Sequence, residues 1–137
     1  MKPKRTILCV NQNEQALSIC RLMLETRGYK VAGFASQPLA WERFLEGGID
    51  LVVHHIPAAA SVEEDLVARI KAVSPATPAI ALYNPQRPPA KQCLADLLVA
   101  EGMITPAELL ERIHLLLMRR RPPRAVSAVR ELQAKIG

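Results

Sequence analysis

Short apolar runs and amphipathic stretches alternate along this chain, and that alternation limits the folds open to it. The runs are Thr6–Val10 (TILCV), Tyr29–Phe34 (YKVAGF), Asp50–His54, Ala79–Tyr83 (AIALY) and, more weakly, Val99–Glu101. Between the first two, Asn13 can cap a helix that presents Ala16, Leu17, Cys20, Leu22, Met23 and Leu24 and stops at Gly28, a residue suited to a left-handed cap. Ser36–Glu46 carries Leu39, Ala40, Phe44 and Leu45 at helical spacing. Ser61, with Glu63 and Glu64 in the first turn, opens a third helix with Leu66, Val67, Ile70 and Val73 on its buried side. Gln92–Leu98 is expected to be a fourth helix, and Thr105-Pro106 the cap and first position of a last one running through Met118. Strands too apolar for a half-exposed sheet, each followed by a helix, predict an α/β fold: a doubly wound, five-stranded parallel sheet with helices on both faces.

The 137 residues suffice for one such domain with a real core. No apolar run approaches the roughly 18 residues of a membrane span, and the N-terminal apolar stretch is too short for a leader, so a cytoplasmic protein without membrane contact is expected. Cys9, Cys20 and Cys93 are odd in number and widely spaced, which suggests neither a disulfide framework nor a zinc site. They read as small buried hydrophobes.

The net charge of +5 has one address. Residues 1–118 balance twelve Lys/Arg against twelve Asp/Glu; the rest has six Lys/Arg and one acid, Glu131. We therefore divide the chain into a domain over 1–120 and a basic tail over 121–137. In the tail Val126, Val129, Leu132 and Ile136 fall at the spacing of a short amphipathic helix.

The third strand ends in His54 and His55, at the carboxyl edge where open α/β sheets bind ligands. Neighbours on a strand face opposite ways, so the pair does not make one site. Asn11 and Gln12, after the first strand, are weak metal ligands and no cysteine is expected near them. The prediction is a polar plug, with His55 hydrogen-bonded to Asn11 or Gln12, and no metal or cofactor. The six glycines lie at 28, 33, 47, 48, 102 and 137, so neither a dinucleotide fingerprint nor a phosphate loop follows the first strand. There is no GxSxG elbow either, and no enzyme is expected.

The succession resembles the receiver domain of two-component response regulators over about residues 4–120. TILCVNQNEQALSICRLMLETRGYKVAGFAS is similar to the receiver opening, DLVVHHIP to the third strand that ends on the phosphoacceptor aspartate, SPATPAIALYN to the fourth strand that ends on a switch Ser or Thr, and ITPAELLERIHLLL to the start of the last helix. The resemblance implies the flavodoxin-like strand order 2-1-3-4-5. It puts the family's acidic pair at Asn11 and Gln12, the phosphoacceptor at His55, the switch hydroxyl at Tyr83 and the conserved lysine near Gly102. None of these positions holds the family's residue.

Residues 1–49 contain no aspartate, and no lysine occurs between Lys91 and Lys135. Transfer of a phosphoryl group to aspartate needs a carboxylate nucleophile, a carboxylate-held divalent cation and a cation on the transferring group, so that chemistry is expected to be absent. What remains is binding: a degenerate receiver working through protein–protein contact, including self-association. The family signals largely through its last helix and neighbouring elements, which points here to Leu109, Ile113, Leu115, Leu116 and Met118. The alternative is a nucleic-acid-associated regulator using Arg119, Arg120, Arg121 and Arg124 on phosphates. No aromatic follows Tyr83 to stack on bases.

Overall fold

The computed structural model describes residues 4–57, 66–88 and 93–119. Five strands, β1 (Thr6–Val10), β2 (Lys30–Phe34), β3 (Leu51–His55), β4 (Ala79–Tyr83) and β5 (Leu97–Ala100), form one sheet in the order β2-β1-β3-β4-β5. All four pairings are parallel, as expected. Helices α1 (Glu14–Thr26), α2 (Gln37–Leu45), α3 (Leu66–Val73) and α4 (Pro106–Arg119) cover its two faces.

The two-residue period of the strands sorts the core into two layers. Ile7, Cys9, Leu51, Val53, Ile80 and Leu82 meet α1 and α4 on one face. Leu8, Val10, Val52 and Ala79 meet α2 and α3 on the other. Ile7, Leu8, Leu51, Val52 and Val53 are completely buried, so the central strands read as continuous apolar runs. Each such aliphatic side chain contributes about 2 kcal/mol relative to an exposed one.

The caps follow the local sequence. The Asn13 side chain accepts from the Ala16 N–H at 3.0 Å, and Gly28, at φ +92°, ends the turn after α1. At α4, Thr105 Oγ1 accepts from the Glu108 N–H at 3.1 Å while Glu108 Oε1 accepts from the Thr105 N–H at 3.2 Å. This reciprocal capping box satisfies two N–H groups that the helix itself leaves without partners.

The amino edge of the sheet is held by two aspartates. Asp50, just before β3, accepts the Thr6 N–H at 2.8 Å, and its own N–H donates to the Thr6 carbonyl at 2.9 Å. Asp96, just before β5, repeats the arrangement on Ala79: its carboxylate accepts the Ala79 N–H at 2.7 Å and its N–H donates to the Ala79 carbonyl at 2.8 Å. Lys71, from α3, completes this second clamp by donating to Asp96 Oδ2 and to the Thr77 carbonyl, both at 2.7 Å.

Two expectations are corrected. The helix expected over Gln92–Leu98 is not formed by its described part: residues 93–96 are non-helical, and the strand starts at Leu97 rather than Val99. Pairing of Leu97–Ala100 with Ile80–Tyr83 and the Asp96 clamp outweigh the helical periodicity of LADLLV. Leu109 and Ile113, expected on an outward face of the last helix, are 7% and 0% exposed and belong to the core beneath α4. Leu116 packs half-buried against that core, which leaves Leu115 and Met118 as the expected contact residues facing solvent.

Candidate functional site

At the carboxyl edge, the ends of β1, β3 and β5 meet a groove of about 420 Å³ between α1 and α4. Its polar end is made by Asn11, His55, Glu101 and Gly102, and its walls include Ile19, Met23, Leu82, Ile104 and Leu109. Asn11 is buried because it directly continues β1. Its N–H donates to the Phe34 carbonyl at 3.1 Å, and its Oδ1 accepts the Asn13 N–H at 2.9 Å, which turns the chain into α1.

His55 is the last residue of β3 and shares the α1/α4 face with Leu51 and Val53. His54 is buried and falls on the opposite face by the alternation of the strand. The partner of His55 is Glu101, whose Oε1 lies 3.4 Å from Nδ1. Neither Asn11 nor Gln12 takes that place, contrary to expectation. The Asn11 oxygen is engaged by Asn13, and Gln12 is exposed and lines a different groove with Ser36, Gln37 and Arg69.

Burial lowers the pKa of His55 below its ordinary value of 6.5; the hydrogen bond and charge of Glu101 act in the opposite direction without overcoming it. The imidazole is therefore neutral at pH 7. With Nδ1 directed at a carboxylate, the geometry assigns the proton to Nδ1 and leaves Nε2 as an acceptor.

The sequence places Glu101 at the end of the weak fifth run and assigns it no functional role. It follows β5 immediately, and its N–H donates to the Tyr83 carbonyl at 2.7 Å. Its contact with His55 spans 46 residues of sequence. The only available signal was position: the first residue after the last strand stands at the edge where ligands bind. Gly102 comes next, with φ +86°. Tyr83 lies elsewhere. Leu82 is paired with His55 and shares its face, so Tyr83, one residue on, faces the other side of the sheet. Thus Asn11, His55 and Gly102 come together, while Gln12 and Tyr83 do not join them.

Cys20 also lines the groove, which corrects the expectation that no cysteine lies near Asn11. His114 is exposed on α4, away from this site. Arg120, Arg121 and Arg124 lie outside the described residues, and Arg119 is the last residue of α4. Among the described residues no three His, Cys, Asp or Glu side chains cluster to hold a metal ion, and no helix is long and apolar enough to cross a membrane.

No Lys or Arg is among the described residues lining the groove. An incoming phosphoryl group would face the Glu101 carboxylate with no side-chain cation beside it, which opposes the accumulation of negative charge. The arrangement is suited to hydrogen bonding and to apolar contact.

Solved structures supply a clear likeness. A CheY-like response regulator receiver domain protein from Methanospirillum hungatei JF-1 superposes with a TM-score of 0.74 at 20% identity, covering 86% of this chain and 97% of that one. The chain has the receiver fold. The signal receiver domain of an HD domain-containing protein from Pseudomonas fluorescens Pf-5 gives 0.73 at 19% identity, over 88% of this chain and 91% of that one. The response regulator TrrA from Thermotoga maritima, solved in complex with Mg²⁺ and BeF, gives 0.70 at 22% identity, over 82% and 98%. No protein-family model matches the chain, and no curated protein sequence matches it. In this fold His55 ends the third strand, and the residue after the fifth strand is an acid, Glu101.

Proposed function

We propose that the chain is a receiver-like signalling module that acts without aspartyl phosphorylation, through contact with protein partners that include a second copy of itself. The observation that carries this reading is the His55–Glu101 pair at the end of β3, a neutral imidazole facing a carboxylate at 3.4 Å. A receiver that binds Mg²⁺ and BeF, such as the one from Thermotoga maritima, needs oxygen ligands for the cation and a site able to take the anion. Here the corresponding groove offers Asn11, His55 and Glu101, with no cation-bearing side chain among its described residues.

Leu115 and Met118, 42% and 68% exposed on α4, support contact through the last helix. The reading places the protein in the cytoplasm and gives it no catalytic role. The test is titration with Mg²⁺ and beryllofluoride, followed by amide NMR shifts at Asn11, Ile56 and Glu101. No saturable shift is expected. A saturable shift at all three would restore phosphoryl chemistry and sink the proposal. Capture of partners from the host lysate with and without nuclease separates this reading from nucleic-acid binding by Arg119–Arg121 and Arg124. Partners that survive nuclease and are lost on Met118→Glu support protein contact.

A further inference from the structure

The sulfurs of Cys9 and Cys20 lie 3.9 Å apart, one on β1 and one on α1. Cys9 is 2% exposed and Cys20 9%; of the two, only Cys20 lines the groove. The site described above uses neither thiol. We propose that this pair is a redox modification site: a small disulfide entering the groove is attacked by Cys20, and Cys9 resolves the product into an intramolecular Cys9–Cys20 bridge.

The geometry favours that order. Cys20 faces the route of entry and Cys9 lies behind it, packed in the same core layer. A disulfide needs the sulfurs about 2 Å apart. Rotation about χ1 at either cysteine moves its sulfur by more than the remaining gap. Either thiol can donate across this contact; with Cys9, the more buried of the two, as donor, the bond lowers the Cys20 pKa, while the same bond, followed by burial, raises that of Cys9. The nucleophile is thus the sulfur that faces the groove.

The chemistry balances with a low-molecular-weight disulfide as oxidant. The Cys20 thiolate attacks one sulfur of RSSR, forms Cys20–S–SR and expels RS⁻, which takes up the proton lost by Cys20. Cys9 then gives up its proton and attacks the Cys20 sulfur, which breaks the mixed disulfide and releases a second RSH. Two protein thiols are oxidised and one disulfide is reduced to two thiols. The resulting bridge would tie β1 to α1 across eleven positions, immediately below Asn11. In a reducing compartment both cysteines stay as thiols, and the bridge forms only when the thiol–disulfide balance shifts.

The experiment uses the full chain, fully reduced and then incubated with oxidised glutathione for times up to hours. The reaction is quenched by alkylation and read by intact mass and peptide mapping. A Cys9 peptide linked to a Cys20 peptide is expected, with the loss of two hydrogens and reversal by dithiothreitol. Cys93, half-buried on the segment before β5, serves as the internal control for ordinary thiol exchange. If Cys93 exchanges while Cys9 and Cys20 are both recovered as separately alkylated thiols, the proposal is overturned. A glutathione adduct persisting on Cys20 in the native sequence also overturns it, because Cys9 then fails to resolve. In Cys9→Ala the adduct on Cys20 is expected to persist; a free Cys20 in that variant overturns Cys20 as the point of entry.

Discussion

The two edges of the sheet are built on opposite principles. At the amino edge, Asp50 and Asp96 each bind both backbone groups of the strand next to them, and each has a cation in reach: Arg5 at 3.7 Å and Lys71 at 2.7 Å. At the carboxyl edge, Asn11 makes a neutral hydrogen bond beside an open groove, and the acid in its lining, Glu101, faces the imidazole of His55 rather than a cation. Charge is concentrated where strands are registered, and the edge at which α/β folds ordinarily work has been left with little. The comparison teaches that stability and function draw on different ends of the same five strands. Breaking one end should destabilise the protein without touching the groove, and changing the other should alter the groove at little cost in stability.

The largest effect is expected at Asp96. Its Oδ2 accepts from both Ala79 N–H and Lys71 Nζ, and the Lys71 side chain is only 12% exposed. Asp96→Ala leaves a buried backbone donor and a largely buried ammonium without their shared acceptor, at a cost of about 2–3 kcal/mol. The partial exposure of Asp96 itself keeps the loss from rising further. Urea unfolding followed by circular dichroism reads this as a lower midpoint with an unchanged slope. Asp50→Ala should cost less, about 1 kcal/mol, because it removes the acceptor of the Thr6 N–H without stranding a largely buried ammonium. The Arg5 partner is 52% exposed and adds little. Equal losses at the two positions would show that Lys71 contributes nothing to the second clamp.

These clamps also mark how far the sequence could be read. The βα order, the caps at Asn13 and Thr105 and the opposed faces of His54 and His55 all depend on neighbours within a few residues, where spacing and side-chain chemistry decide. The start of β5 was misread because LADLLV has helical periodicity, and the competing interactions, with Ala79 and Lys71, lie 17 and 25 residues away. Glu101 was missed for the same reason, and Cys9–Cys20 is a meeting of a strand and a helix that periodicity does not reveal. On α4, four consecutive apolar residues, Leu115 to Met118, gave no direction by themselves; packing on the sheet selects Leu117 inward and leaves Leu115 and Met118 outside. Local grammar was legible, and long-range pairing was not.

At the carboxyl edge, the sharpest probe is pH. The folded state holds the His55 pKa below 6.5, so the unfolded chain takes up a proton first as the medium is acidified. The stability associated with a neutral His55 is present above pH 6.5 and is lost as pH falls from there through the lower folded value. His55→Gln removes that titration and keeps a hydrogen-bonding side chain toward Glu101. Its stability at pH 8 should lie within about 1 kcal/mol of the native protein. Unfolding curves compared at pH 8 and pH 5 should show a smaller acid loss in the variant; an identical loss in both would place the acid sensitivity elsewhere.

The smallest expected effect on stability is the one most informative about partners. Met118 is 68% exposed on the last described stretch of α4, and its side chain leaves the buried row formed by Leu109, Ile113 and Leu117. Met118→Glu should therefore change monomer stability by no more than about 0.5 kcal/mol. If Leu115 and Met118 form the contact between two copies, the same substitution puts two like charges into a two-fold interface and should shift the sedimentation pattern wholly to monomer. Retained self-association in Met118→Glu would move the contact off this face. A protein unfolded by that substitution would contradict the packing just described, since an outward methionine has no core contact to lose.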